Sequence, residues 1–150
     1  KAIFESCKIK KSIVEKDENE KGIRKILNFG HTFAHAFEAT LGYSKRLNHG
    51  EAVILGIVTA LKFSLNTKLI TYKDCNQILK HVINSKLPSN IKNYFSYKDL
   101  NKILKFMSKD KKNISKKVNL ILLKKIGSAV IDKEYSNLKV KEFLKKELIN

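Results

Sequence analysis

The sequence predicts a mainly α domain with one short β-hairpin near residues 118–131, and three observations point that way. Apolar residues recur at helical spacing through residues 23–41 and again through "GEAVILGIVTALKF". Two later stretches, "TYKDCNQILK" and "SYKDLNKILK", each open on a hydroxyl residue with an aspartate three positions on, a short version of the capping box. Only "VNLILL" and "SAVI", parted by "KKIG", read as strands. At 150 residues the chain has the length of one domain, and a chain of this size buries roughly 70% of its unfolded surface.

The elements follow in order. Residues 1–16 read as the end of a helix, and "EKDENEKG" after them as a charged turn. A helix is expected over residues 23–41, with Gly42 as its C-terminal stop. The next begins near Gly50 and runs to about Thr67. Thr71 and Ser96 cap two further amphipathic helices, with Asp74 and Asp99 as their partners and Pro88 between them. These two are similarly capped helices rather than a true repeat. "LKVKEFLKKELI" closes the chain as a helix.

The formal net charge of +17 invites a nucleic-acid reading. Its composition argues otherwise. Arg24 and Arg46 are the only arginines among 31 basic residues, and arginine is the side chain that base and phosphate recognition favours. Lysine with abundant isoleucine and asparagine reads instead as solvated lysine faces under a compositional bias. The charge still suits an acidic small molecule. No membrane span is expected, because the longest apolar run, "AVILGIVTAL", is too short to cross a bilayer. Cys7 and Cys75 stand far apart without a CxxC pairing, so a reducing, cytoplasmic setting is the expectation. The chain opens on Lys1, so its start says nothing about a targeting segment.

Lysine makes up about a fifth of the chain, yet residues 26–61 hold one, Lys45. Five of the six glycines fall between residues 22 and 56. This stretch is either a core or a site. On a helix turning about 100° per residue, Arg24, Asn28, His31, His35 and Glu38 fall within about 80° of arc. Ile26, Phe29, Phe33 and Phe37 gather opposite, as a core-facing stripe. An ordinary amphipathic helix would put lysine on its wet face; this one carries residues that bind metals and anions and move protons. Gly30, read as mid-helix, costs about 1 kcal/mol against alanine and marks the close approach of another element.

His49 stands just before Gly50-Glu51, at the expected start of the following helix. From there it can turn back toward the preceding helix, while the free backbone N–H groups can receive an anion. Two imidazoles on separate helices are half of a zinc site, since catalytic zinc takes three protein ligands and an open position. His81, in "ILKHVINS", reads as a surface or core histidine.

At these residues the chain resembles the 3-dehydroquinate synthase family. "KKSIVEKDENEKGIRKILNFGHTFAHAFEATLGY" with "NHGEAVILGI" is similar to its signature, combining DExExGxR, NxGHTxxHAxE and HGEAVxxG at the expected separations. "KDKKNISKKVNLILLKKIGSAVI" is similar to the family's late lysine motif and hairpin. The resemblance implies the helical C-terminal domain of a two-domain enzyme, with zinc or another divalent metal and NAD as cofactors. NAD would be held mainly by an N-terminal domain that these residues lack.

The resemblance further implies that His31 and His49 bind the metal and that His35 and Glu20 carry protons. It makes Arg24, Asn28 and Lys10 contacts to the substrate's phosphate, carboxylate and hydroxyls, with Lys111 or Lys112 as a further substrate lysine. The implied reaction turns 3-deoxy-D-arabino-heptulosonate 7-phosphate into 3-dehydroquinate and phosphate. It runs through transient NAD-dependent oxidation of a hydroxyl, elimination of phosphate, re-reduction and an aldol ring closure. A homodimer is implied for the full-length enzyme.

Ala34 departs from the glycine usual in the family. The third metal ligand, a glutamate in the family, would lie upstream of residue 1, so the 150 residues alone are expected to be inactive. Three readings compete with this one. A sister sugar-phosphate cyclase would use the same motifs on sedoheptulose 7-phosphate or glucose 6-phosphate. A basic helical nucleic-acid module would leave the lysine-poor stretch unexplained, and a non-catalytic helical scaffold would require that the chain has lost its function.

Overall fold

A computed structural model describes residues 1–108 and 117–149. Six helices and one hairpin make up its main elements: α1 (Ala2–Lys16), α2 (His31–Thr40), α3 (His49–Asn66), α4 (Tyr72–Asn84), α5 (Leu100–Met107), strands β1 (Lys117–Lys125) and β2 (Ser128–Ser136), and α6 (Asn137–Ile149). The mainly α expectation and its hairpin are both present. The strands extend further than residues 118–131, because β1 and β2 pair antiparallel from Lys117↔Ser136 to Lys125↔Ser128, with irregularities between Leu120 and Leu122 and between Leu123 and Lys125.

The single helix expected over residues 23–41 is corrected. Residues Ile23–Asn28 wind as a 3₁₀ helix, Phe29 is extended, and Gly30 takes a left-handed φ of 83° before α2 begins at His31. The cause is a backbone contact. A Cβ built on Gly30 would lie 2.5 Å from the Ile57 backbone nitrogen and 2.8 Å from the Gly56 carbonyl carbon. The chain must therefore turn where the N-terminus of α2 meets the middle of α3, and a residue without a side chain does so at least cost. Gly30 marks a close approach, as the sequence suggested, from the end of a helix rather than from inside one.

That crossing organises the core. Ala34 of α2 packs against Gly56 of α3, and Ala52 and Ala60, buried on the same face of α3 as Gly56, keep that seam small so that the two helices draw together. Around the seam, Phe33 and Phe37 are fully buried and belong to an aromatic cluster. Phe33 stacks toward Phe63 at 6.5 Å, Phe37 toward Phe95 at 5.0 Å, and Phe63 meets Phe143 edge-on at 5.0 Å. Val118, Leu120 and Leu122 alternate inward along β1 and close the core from the hairpin side. The lysine-poor stretch is therefore a core on one side of α2.

The expected caps are present. Thr71 accepts the Asp74 N–H on its hydroxyl at 3.1 Å, at the start of α4. Ser96 donates its N–H to Asp99 at 2.8 Å, across a 3₁₀ turn that leads into α5. Asn48 and Glu51 form a reciprocal capping box at the start of α3. Thr71→Ala should lower the unfolding free energy by about 1 kcal/mol. That loss would appear as a lower urea midpoint at unchanged slope; an unmoved midpoint would show that the hydroxyl contributes nothing.

α1 contrasts with the rest. None of its residues is buried, and Ile3, Phe4 and Ile9 are exposed. Cys7 lies exposed on α1, while Cys75 is buried and burial pushes its thiol pKa up. Among the described residues, no helix is long and apolar enough to cross a membrane.

Candidate active site

The site is assembled from two groups on either side of Gly30. The first is organised by Asp17, at the C-terminal end of α1. Its carboxylate accepts three backbone N–H groups: Lys21 at 3.0 Å, Gly22 at 2.7 Å and Arg24 at 3.0 Å. The Arg24 N–H does most to hold the Asp17 carboxyl below its usual range, with Gly22 and Lys21 adding to it and partial burial working the other way. The fold thus wraps residues 17–24 around one carboxylate and forces Glu20 into a left-handed φ of 54°.

In that conformation three of the expected site residues come together. Asn28 donates its side-chain amide to Glu20. The Arg24 Nε lies 4.0 Å from the Glu20 carboxylate, and Arg24 Nη1 donates to the Glu18 carbonyl at 2.5 Å. The Glu20 and Arg24 side chains remain partly exposed, at 42% and 32%. A carboxylate, a guanidinium and an amide thus open to one side, suited to proton exchange and to holding an anionic group.

The second group lies on α2 and the start of α3. The His31 and His35 rings, one helical turn apart, sit with centroids 5.6 Å from each other. His49, the first residue of α3, places its ring centroid 6.5 Å from that of His31. The His31 Nδ1 is buried without a hydrogen-bond partner among the described residues. Buried ring nitrogens are normally satisfied by a protein group, a water or an ion, so this one stands out. The His49 Nδ1 lies 3.0 Å from the Glu38 carboxylate. Among the described residues no three His, Cys, Asp or Glu side chains are grouped to hold a metal ion. His31 and His49 bring two imidazoles, side chains of a type that ligates metals, to a centroid separation of 6.5 Å.

A cleft of about 510 Å³ reaches the first group through Asn28, and is lined also by Lys25, Thr32, Asn119, Asp132 and Glu134. Here the hairpin is tied to the site. Lys25 pairs with Asp132 at 2.7 Å, and Thr32 donates to the Asn119 carbonyl at 3.4 Å. Lys25, and after it Asn119, hold the Asp132 carboxyl below its ordinary range. Lys10 sits on exposed α1, with no hydrogen bond or ion pair to the other site residues among those described. Lys111 and Lys112 lie outside the described residues.

Asp17 is the residue that the sequence reading left without a role. It is the first letter of the DExExGxR pattern, and its spacing to Arg24 is the signal that could have found it. Lys25, Asn119 and Asp132 left no such signal, because the contacts that bring them in span up to 107 residues of sequence.

A helical domain with one hairpin thus places a histidine group between two crossed helices, beside a turn that carries Glu20 and Arg24. The structure superposes on a crystal structure of 2-deoxy-scyllo-inosose synthase, complexed with carbaglucose-6-phosphate, NAD⁺ and Co²⁺. The TM-score is 0.71 at 23% identity, over 91% of this chain and 38% of that one. The chain belongs to the 3-dehydroquinate synthase C-terminal family, whose model matches residues 1–113. It is 58% identical to the 3-dehydroquinate synthase of Pelagibacter ubique over 147 residues, covering 98% of this chain and 40% of that protein. It is 40% identical to that of Bradyrhizobium diazoefficiens over 152 residues, with the same coverage of 98% and 40%. The chain thus spans about 40% of the length of the curated relatives it matches.

Proposed function

We propose that this chain is the metal- and substrate-binding part of a 3-dehydroquinate synthase. The longer protein would convert 3-deoxy-D-arabino-heptulosonate 7-phosphate to 3-dehydroquinate and phosphate, as the names of its relatives suggest. The observation that carries the reading is the meeting of His31 and His49 across the α2–α3 crossing, with the His31 Nδ1 buried and unpartnered. Those two side chains would hold the metal, zinc or another divalent ion, with a third ligand from outside these residues.

When bound, the metal supplies polarisation of a substrate hydroxyl, and NAD, held by the rest of the longer protein, supplies reversible hydride transfer. The other roles fall to this chain's own residues. Arg24 and Asn28 bind the anionic ends of the substrate, with Lys10, Lys111 and Lys112 adding positive charge around it. His35, exposed beside His31, and Glu20, fixed by Asn28 and Arg24, hold and release the protons of elimination and ring closure. A phosphorylated sugar acid also suits the charge of +17 better than a nucleic acid does, since the exposed lysines form no arginine-lined reading surface.

The test is a metal measurement on the longer protein. His31→Ala should remove the bound divalent ion and lower turnover at least about 10²-fold, while the product of the unaltered enzyme should be 3-dehydroquinate. Full metal content in His31→Ala would end the assignment of the site. A different cyclic product from another sugar phosphate would move the chain to a sister cyclase.

A further inference from the structure

Glu38 stands out for where it is placed. It lies in the last turn of α2, at the negative end of the helix dipole, where a carboxylate is disfavoured. Its side chain is only 12% exposed, and among the described residues the ionisable group within 4.0 Å of its carboxylate is the His49 imidazole. A glutamate kept for solubility would occupy neither position. It continues the α2 face that carries His31 and His35, and its Oε1 lies 3.0 Å from the Nδ1 of His49, on the next helix.

A carboxylate only accepts hydrogen bonds, so at this distance the Nδ1 of His49 is the donor. In a neutral imidazole the hydrogen then resides on Nδ1, and Nε2 keeps its lone pair. The His49 ring is 65% exposed and sits in the first turn of α3, so without a tether it would be free to rotate and to exchange tautomers. We infer that Glu38 is a positioning residue: by taking the Nδ1 hydrogen of His49 it fixes the tautomer and the ring plane, and leaves Nε2 as the nitrogen that meets a metal ion. The inference rests on the proposed role of His49 as a ligand. It adds the rule that the α2 carboxylate, rather than a backbone group, decides which nitrogen is presented. Carboxylates that orient ligating histidines in this way typically change metal affinity by 10–100-fold.

The experiment uses the longer enzyme with ¹⁵N-labelled histidine, freed of metal and then titrated with Co²⁺. In the metal-free protein, at a pH where the ring is neutral, His49 should show the Nδ1–H tautomer, and Glu38→Ala should shift it toward Nε2–H. Glu38→Ala should weaken Co²⁺ binding roughly 10–100-fold. Glu38→Gln, whose amide oxygen still accepts from Nδ1, should recover most of that loss. A purely structural tether would leave the ring tautomer of the folded variant unchanged. The inference is overturned if His49 carries its hydrogen on Nε2 in the unaltered protein, or if folded Glu38→Ala binds Co²⁺ within twofold of it. Because the tautomer is read without metal, and His49→Ala separately reports whether that side chain is a ligand at all, failure of this inference and failure of the metal site are told apart.

Discussion

Gly30→Ala should destabilise the domain by about 3–5 kcal/mol, combining the cost of a left-handed conformation with that of overpacking. The new methyl would meet the backbone of Ile57 and Gly56, at 2.5 Å from one nitrogen and 2.7 Å from one Cα. Neither atom belongs to a flexible side chain, so relief requires α2 and α3 to move apart. Two other glycines separate the contributions. Gly42 has a left-handed φ of 66° with nothing within 4 Å of a built Cβ, so Gly42→Ala should lose only the conformational part, about 1 kcal/mol. Gly56 has ordinary helical geometry, but a Cβ there would strike the Gly30 carbonyl and come within 2.8 Å of the Ala34 nitrogen. Gly56→Ala should therefore lose the packing part, about 1–3 kcal/mol, offset by up to about 1 kcal/mol of helix propensity. Urea unfolding of the three variants gives the comparison. Equal losses at Gly30 and Gly42 would show that the helix crossing tolerates a methyl and that the backbone contact carries no energy.

The same crossing shows what the sequence made legible and what it hid. Helices α3, α4 and α6 and the hairpin follow from local signals, because caps and apolar periodicity act over a few residues. The shortage of lysine over residues 26–61 marked the stretch that holds both core and candidate site: Phe33, Phe37 and Ala34 point inward, and His31, His35 and Glu38 share the other side of α2. The break at Gly30 was hidden, because apolar spacing continues across it and nothing local distinguishes a mid-helix glycine from one pressed against a distant backbone. One ideal helix would have placed Arg24 and Asn28 beside the histidines by rotation alone. They are instead placed by a 3₁₀ turn that a single carboxylate holds, and the hairpin side of the cleft depends on Lys25 reaching Asp132 across the whole chain. Pairings of that kind are fixed by the packed fold and leave no periodic trace.

That single carboxylate carries the second large effect. Asp17→Ala leaves the Lys21, Gly22 and Arg24 N–H groups without their acceptor, so Glu20 loses the frame that keeps it left-handed and within reach of Asn28. If Glu20 and Arg24 act on the substrate as proposed, a shift of about 1 Å in both should lower kcat/KM of the longer enzyme roughly 10²-fold. Asp17→Asn keeps one oxygen to accept from the loop and should recover part of the loss. The pH dependence has a definite sign. The folded-state pKa of Asp17 lies below its unfolded value, so the ordering it supplies is complete above the ordinary carboxylate pKa of about 3.9 and is lost as pH falls through the lower, folded-state value. Asp132 is displaced in the same direction, through Lys25, so the loop and the hairpin edge of the cleft should loosen in the same acid window while the buried core persists. Amide exchange at Gly22 and Arg24, followed from neutral pH downward and corrected for the intrinsic rate, should show protection lost only in that window, and absent at every pH in Asp17→Ala. Protection of those two amides that survives in Asp17→Ala would mean that the turn is held by its own backbone, and that Asp17 is not what places Glu20 and Arg24.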